Sequence, residues 1–503
     1  ILKLLAYGWS SVRSRQALWD QVAGALTAAN HTGWEGLQAE QREYLATFWG
    51  RTAVELQGDP QIEAAARFGL FHVLQASARA ERRAIPAKGL TGTGYDGHAF
   101  WDTETFVLPV LTSSRPEVAR DALRWRHSIL PAARARAAAL GHTGAAFPWR
   151  TIAGQECSGY WPAGTAAFHV NADIADAVIR YVDATDDRAF EAHEGLELLV
   201  ETARLWCSLG HHDRHGRFHL PGVTGPDEYS ALGDDNVYTN LMAQQNLRAA
   251  ADVAGRHPDE AVRLGVGDEE RARWQRAADA MYVPYDEELG VHPQAELFTT
   301  YDVWDFAGTR RGQYPLFLHF PYFDLYRKQV VKQADLVLAM HLRHDAFTEE
   351  EKARNFAYYE ALTVRDSSLS AISQAVLAAE LGHVDLAYDY LVETSNMDLR
   401  DLHHNTRNGL HMASLAGAWT VIVTGFGGLR ARAGRPAFAP RLPTGIARLS
   451  FNVWYRNRNL CVTATAGQAL YELHEGEPLT IVHYGEPAVV ALGESVKLPI
   501  PPL

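Results

Sequence analysis

Two adjacent carboxylates, Asp227 and Glu228, ride on a Gly-Pro turn in the run Gly225-Pro226-Asp227-Glu228-Tyr229-Ser230. The run Asp235-Asn236-Val237-Tyr238-Thr239-Asn240 follows closely. Cleavage of a glycosidic bond needs such parts. A carboxylic acid must protonate the leaving oxygen, and near neutral pH it keeps its proton only where its surroundings disfavour the charged form. An aromatic, partly apolar wall does that, while amides and hydroxyls bind sugar hydroxyls. Taken alone, the hexapeptide also reads as an ordinary surface turn, because Pro-Asp is a turn signal.

A second stretch, Gly89-Leu90-Thr91-Gly92-Thr93-Gly94-Tyr95-Asp96-Gly97-His98-Ala99-Phe100-Trp101-Asp102-Thr103-Glu104, crowds glycines, aromatics and carboxylates together. Gly92, Gly94 and Gly97 spell GxGxxG. No β-branched strand precedes them, since residues 76–83 are Arg-rich and helix-like, so a dinucleotide-binding loop is disfavoured. The glycines instead let a loop bring Trp101 and Asp102 to a ligand. An indole stacks on the apolar face of a pyranose, and a carboxylate accepts from two sugar hydroxyls. A third stretch repeats the theme, from Pro148-Trp149-Arg150 through Glu156-Cys157-Ser158-Gly159-Tyr160-Trp161-Pro162-Ala163-Gly164-Thr165.

Three later runs complete a series: Lys332-Gln333-Ala334-Asp335, Ser367-Ser368-Leu369-Ser370 and Gly409-Leu410-His411-Met412-Ala413-Ser414. In this order the motifs resemble those of glycoside hydrolase family 65, over a span from about Gly33 to the C-terminus. The family consists mostly of inverting disaccharide phosphorylases acting on α-glucosides such as trehalose, maltose and kojibiose, with a few hydrolases. The resemblance implies a mainly α protein, an (α/α)6 barrel with a small C-terminal antiparallel β-domain. It also implies a large β-sandwich ahead of the barrel, which this chain lacks, so the chain reads as a fragment of a longer protein. Intact relatives are expected to be homodimers.

The elements that must position these residues have their own signals. Residues 9–57 read as helical, with Leu18, Val22 and Leu26 four apart and a break at His31-Thr32-Gly33. Ile174, Val178 and Val182 share a helical face. Leu369, Ile372, Val376, Leu377 and Leu381 share another, stopped by Gly382, and Val384, Ala387, Tyr390 and Leu391 begin a partner helix. No strand–helix alternation appears, which argues against a TIM barrel. After Arg432 the texture changes. Leu449, Phe451, Val453 and Tyr455 alternate, as do Leu460, Val462 and Ala464, with glycines between short runs. The expected organisation is a helical linker over 1–59, the catalytic barrel over 60–432 and the β-domain over 433–503.

Composition narrows the function classes. A net charge of −13 argues against nucleic acid as partner. No apolar run approaches the roughly 20 residues of a membrane helix. Cys157, Cys207 and Cys461 are too few and too scattered for a disulfide framework and fit a reducing, cytoplasmic compartment. Cys157 is expected to be a small buried residue. His211-His212-Asp213 and His403-His404 lack metal-site spacing and read as loop or cap histidines. No metal or cofactor is expected.

The two chemistries of the family share the acid and differ on the far side of the anomeric carbon. A hydrolase needs a second carboxylate about 6.5–9.5 Å away to activate water. A phosphorylase needs donors for a dianion, which helix N-termini supply. The resemblance makes Glu228 the catalytic acid. It makes Trp101, Asp102, Lys332 and Gln333 ligands of the glucosyl unit, with Glu156 and Tyr160 lining the pocket. It makes Ser367, Ser368, Gly409 and His411 the phosphate site, with inorganic phosphate as co-substrate. Asp366 and Asp401 are the residues that could serve as a base instead. The expected reaction is inverting phosphorolysis of an α-linked glucose disaccharide. The alternatives are an inverting, trehalase-like hydrolase and a non-catalytic carbohydrate-binding homologue, the last disfavoured by the intact Glu228 motif.

Overall fold

The computed structural model describes residues 2–8, 13–78, 80, 83–432 and 434–502. Two units are distinguished, residues 1–53 and 54–503. The first is one helix, Arg15–Thr52, capped by the Ser14 hydroxyl, and Gly33 (φ 69°, ψ 172°) breaks it where the sequence predicts. Residues 9–12 of the expected helix lie outside the described residues. Its far end differs from expectation: Val54–Gln57 is a strand, not the end of a helix. Alternating burial of Val54 and Leu56, and pairing with a strand some 390 residues away, decide this against local propensity.

Among the described residues of the second unit, twelve of the helices alternate between an inner and an outer ring. The inner ring runs through the π-helical turn Thr103–Val107 with Leu108–Thr112, then His169–Thr185, Val237–Arg256, Asp335–Leu342, Ser370–Glu380 and Met412–Thr420. Each packs on the next and the last returns to the first, closing the ring. The outer helices are Pro60–Ser77, Pro116–Ser128, Leu196–Leu209, Asp268–Asp279, Glu349–Glu360 and Val384–Asn396. The inner helices are buried nearly all round, as a helix wrapped by others must be. The predicted hairpin is present: Ile372, Val376 and Leu377 are fully buried, Gly382 turns the chain at φ 85°, and Ala387 and Leu391 pack back. Each fully buried aliphatic side chain contributes about 1.5–3 kcal/mol. The helix before the glycine-rich loop ends at Ser77, and residues 79, 81 and 82 of the Arg-rich run lie outside the described residues.

The C-terminal β-domain has two sheets. The first orders Val54–Gln57, Arg448–Tyr455, Arg458–Ala464, Gln468–Glu475 and Ser495–Pro499, all antiparallel. The second orders Glu486–Val490, Leu479–His483, Arg435–Phe438 and Arg430–Arg432, with one parallel pairing, Val482 opposite Ala437. Strand structure thus begins at Arg430, slightly before the change in sequence texture. Among the described residues no helix is long and apolar enough to cross a membrane.

Candidate active site

One outer helix runs back between each pair of inner helices, so all six inner helices start at the same end of the ring. Each start carries one of the motifs. Trp101-Asp102 precedes Thr103, the Trp161 loop precedes His169, and the Gly225–Asn236 run precedes Val237. Lys332-Gln333 precedes Asp335, Ser367-Ser368 precedes Ser370, and Gly409–His411 precedes Met412. The site is therefore a ring of helix N-termini.

The acid turn is held from beneath by a second buried carboxylate. The Asp227 N–H donates to Asp335 Oδ1 (2.7 Å), and Asn236 Nδ2 donates to Asp335 Oδ2 (2.7 Å). Asn236 also caps its own helix, accepting from Thr239 N. Asp227 in turn accepts from Gln294 Nε2 (2.8 Å), Lys332 N (2.9 Å) and Tyr229 N (3.2 Å). Burial raises both carboxyls, and the charge of Asp227 raises Asp335 further. Gly225 leaves no room for a side chain, since a Cβ there would stand 2.0 Å from Asp335 Oδ2. Asp227 is thus fully buried and holds the turn in place, whereas the Glu228 side chain keeps solvent contact.

Glu228 has the aromatic wall that the sequence suggests, but its nearest partner is a cation. Lys332 Nζ donates to Glu228 Oε2 at 2.9 Å. Burial alone would lower the Lys332 ammonium, yet the Glu228 carboxylate, with Tyr322 and Tyr95, makes the net shift upward. Tyr160 OH donates to the Glu228 carbonyl (2.7 Å) and pairs with Tyr326 OH (2.9 Å), and Tyr322 packs against both tyrosines. Phe317 lies under the Lys332 ammonium, 5.3 Å away.

Gln333 bridges two motif loops: its Nε2 donates to Pro226 O (2.6 Å) and its Oε1 accepts from Ser367 Oγ (2.6 Å). Ser367 is thereby occupied, while Ser368 makes no side-chain hydrogen bond to another described residue. The Gly409 N–H donates to Thr406 O (2.9 Å), so Gly409 shapes its loop rather than offering a free donor. His411 is held by Asp398, which accepts from its N–H and from its Nδ1, both at 2.7 Å, and its Nε2 meets only Asn405 Nδ2, at 3.5 Å. Asp398 carries no sequence signal, because nothing near it forms a motif.

The candidate bases are engaged. Asp366 Oδ2 accepts from Tyr229 OH (2.5 Å) and Leu316 N (2.7 Å), and burial raises its carboxyl. Asp401 caps its own loop through Thr406 N (3.0 Å). Glu156 lies in a loop, accepting from Trp149 N, Ser158 N and Ser158 Oγ, so it braces the pocket wall. Asp102, by contrast, is pushed up to about 6, first by burial and further by Glu104 and Glu228. Trp101 is buried, edge-on to His169 and Phe106.

Two of the GxGxxG glycines have a steric reason, and Gly97 takes a left-handed backbone at φ 77°. A Cβ on Gly92 would lie 2.5 Å from Gly409 N, and one on Gly94 would lie 2.5 Å from Asn408 O. Two motif loops touch backbone to backbone there. Cys157, expected to be buried, is exposed because its loop tip faces outward. His211-His212 form a short hairpin with Phe218–His219, and among the described residues no cluster suits a metal ion.

Comparison with known proteins decides the family. The model of the glycosyl hydrolase family 65 central catalytic domain matches residues 67–420, and that of the family's C-terminal domain matches residues 429–490. The chain belongs to glycosyl hydrolase family 65. An uncharacterised glycosyl hydrolase of Mycobacterium tuberculosis is 59% identical over 100% of this chain and 65% of its own length. An α,α-trehalose phosphorylase of Thermoanaerobacter brockii is 43% identical over 93% of this chain and 62% of its own. The chain thus spans slightly less than two thirds of these family 65 relatives. A solved structure from the human microbiome, described provisionally as a kojibiose phosphorylase, superposes with a TM-score of 0.91. It is 27% identical and covers 97% of this chain and 73% of its own.

Proposed function

We propose that this family 65 chain carries the catalytic centre of an inverting α-glucoside phosphorylase, converting a disaccharide and phosphate into β-glucose 1-phosphate and a free sugar. Glu228 is the acid. Trp101, Asp102 and Lys332 hold the glucosyl unit, with Gln333 tying their loops together. To act as the acid, Glu228 takes a proton from solvent before the sugar is cleaved, which releases Lys332 Nζ from its carboxylate to the sugar hydroxyls. The bond from C1 to the leaving oxygen breaks as Glu228 gives that oxygen its proton. A phosphate oxygen bonds to C1 from the opposite face.

The observation that supports this reading is the pairing of His411 with Asp398 at one helix start, while the Ser368 hydroxyl at the neighbouring helix start has no hydrogen-bond partner among the described residues. Helix-start N–H groups, a hydroxyl and an imidazole suit a dianion. A hydrolase would place a free carboxylate there, and both candidates, Asp366 and Asp401, are tied to other donors. The trehalose phosphorylase at 43% identity makes trehalose the first substrate to test, ahead of maltose at 34%. A homodimer in the cytoplasm suits the whole protein.

The decisive experiment incubates trehalose, maltose, kojibiose and nigerose with and without inorganic phosphate and assays glucose 1-phosphate. Product is expected only with phosphate, and NMR should show the β-anomer first. Glucose release that ignores phosphate would make the enzyme a hydrolase; an α-anomer would require a retaining nucleophile. Ser368→Ala and His411→Ala should each raise the KM for phosphate about tenfold and the disaccharide KM much less. Equal effects on both would remove these residues from the phosphate site.

A further inference from the structure

Lys88 stands just before the glycine-rich loop and is only 4% exposed. A lysine is almost never buried so deeply without a partner, because an isolated ammonium loses its hydration. Among the described residues the Lys88 ammonium has no ion pair and no hydrogen bond, only the face of Tyr95 at 5.4 Å. Its stem lies against the Gly409 loop: a Cβ on Gly409 would be 3.0 Å from Lys88 Cβ, and one on Gly94 would be 3.2 Å from Lys88 Cγ.

Its electrostatic neighbours are Asp398 and Asp102. Asp398 is engaged by His411, and Asp102 is the carboxyl proposed above for the glucosyl unit. His403 completes the surroundings, its imidazole sensing His411, Asp398, Lys332 and Lys88 together. A cation without an ion pair, at the tip of a side chain otherwise buried and next to a loop that ends in His411, is a place prepared for an anion.

We infer that Lys88 is a further ligand of the attacking phosphate, gripping the same anion as His411. The inference rests on the phosphorylase reading. A sugar hydroxyl would leave the ammonium's charge uncompensated, whereas a phosphate dianion offsets it. Burial pushes the Lys88 amine down to about 8, against the pull of Asp398 and Asp102. A depressed amine is charged below that pH and neutral above it, so phosphate binding should weaken as pH rises through about 8.

The test compares wild type with Lys88→Met, which keeps the stem without the charge, and with Lys88→Arg. Lys88→Met should raise the phosphate KM about tenfold or more, with the disaccharide KM changed less than about threefold. Lys88→Arg should recover part of the loss. A second readout needs no variant. The wild-type enzyme is carbamylated with cyanate near pH 8.5, and Lys88 is mapped by mass spectrometry with phosphate or with chloride at equal ionic strength. Phosphate should protect Lys88 and chloride should not.

If the disaccharide KM rises while the phosphate KM stays put, Lys88 belongs to the sugar subsite and the inference is overturned. Should Lys88→Met fail to fold, the protection experiment decides, and absence of protection overturns it. Turnover by wild type without phosphate would sink the phosphorylase reading itself. A phosphate-dependent wild type with an unaltered phosphate KM in Lys88→Met sinks only the role of Lys88.

Discussion

Glu228→Gln is expected to lower turnover by at least ~100-fold while the disaccharide still binds. The amide keeps the shape and the contact with Lys332 Nζ, 2.9 Å from the carboxylate in the native chain, but has no proton to give the leaving oxygen. The loss should fall on kcat, because the interaction matters as the bond breaks. Steady-state kinetics and calorimetric titration with the disaccharide separate the two effects. A variant with near-native turnover would remove Glu228 from the role of acid. Asp227→Asn is the contrast. Asp227 never faces the cleft, and its loss should loosen the acid turn and lower thermal stability together with turnover.

Arg126→Ala should destabilise the protein by about 3–5 kcal/mol. Arg126 Nε and Nη2 donate to the two oxygens of Glu104 at 2.7 and 2.8 Å, and both side chains are essentially without solvent contact. Removing one partner strands the other charge in a low-dielectric interior, which costs more than the pair contributes. Glu104 lies two residues after Asp102 in the π-helical turn, so the sugar side of the site should loosen as well. Urea unfolding followed by circular dichroism measures the first effect, and the disaccharide KM the second. Arg126→Met combined with Glu104→Gln should regain most of the stability, because no unpaired charge remains. A shift under about 1 kcal/mol in Arg126→Ala would mean that Glu104 finds water or another cation.

Local patterns were legible because helices and turns are written within a few residues. The apolar spacing from Ile372 to Leu377, the Gly382 stop and the Gly33 break all follow from periodicity and backbone freedom. The pairing of Val54–Gln57 with Arg448–Tyr455 was not legible. Four residues with a short alternation look the same at the end of a helix as in a strand, and only the distant partner chooses.

The sequence by itself determined the family and put Glu228 forward as the acid. Both rest on runs such as Gly225–Ser230 standing in a fixed order with the other motifs, since the hexapeptide alone also reads as a turn. The tertiary structure alone decided which charges meet. Glu228 and Lys332 are 104 positions apart and hydrogen-bonded. Tyr229 reaches across 137 positions to occupy Asp366. Asp398 and Lys88, outside the series of six helix-start motifs, arrive beside His411 and Gly409. Such contacts depend on the closing of a ring from six helix starts. That closure is set by the packing of many apolar faces, and no single stretch of chain records it.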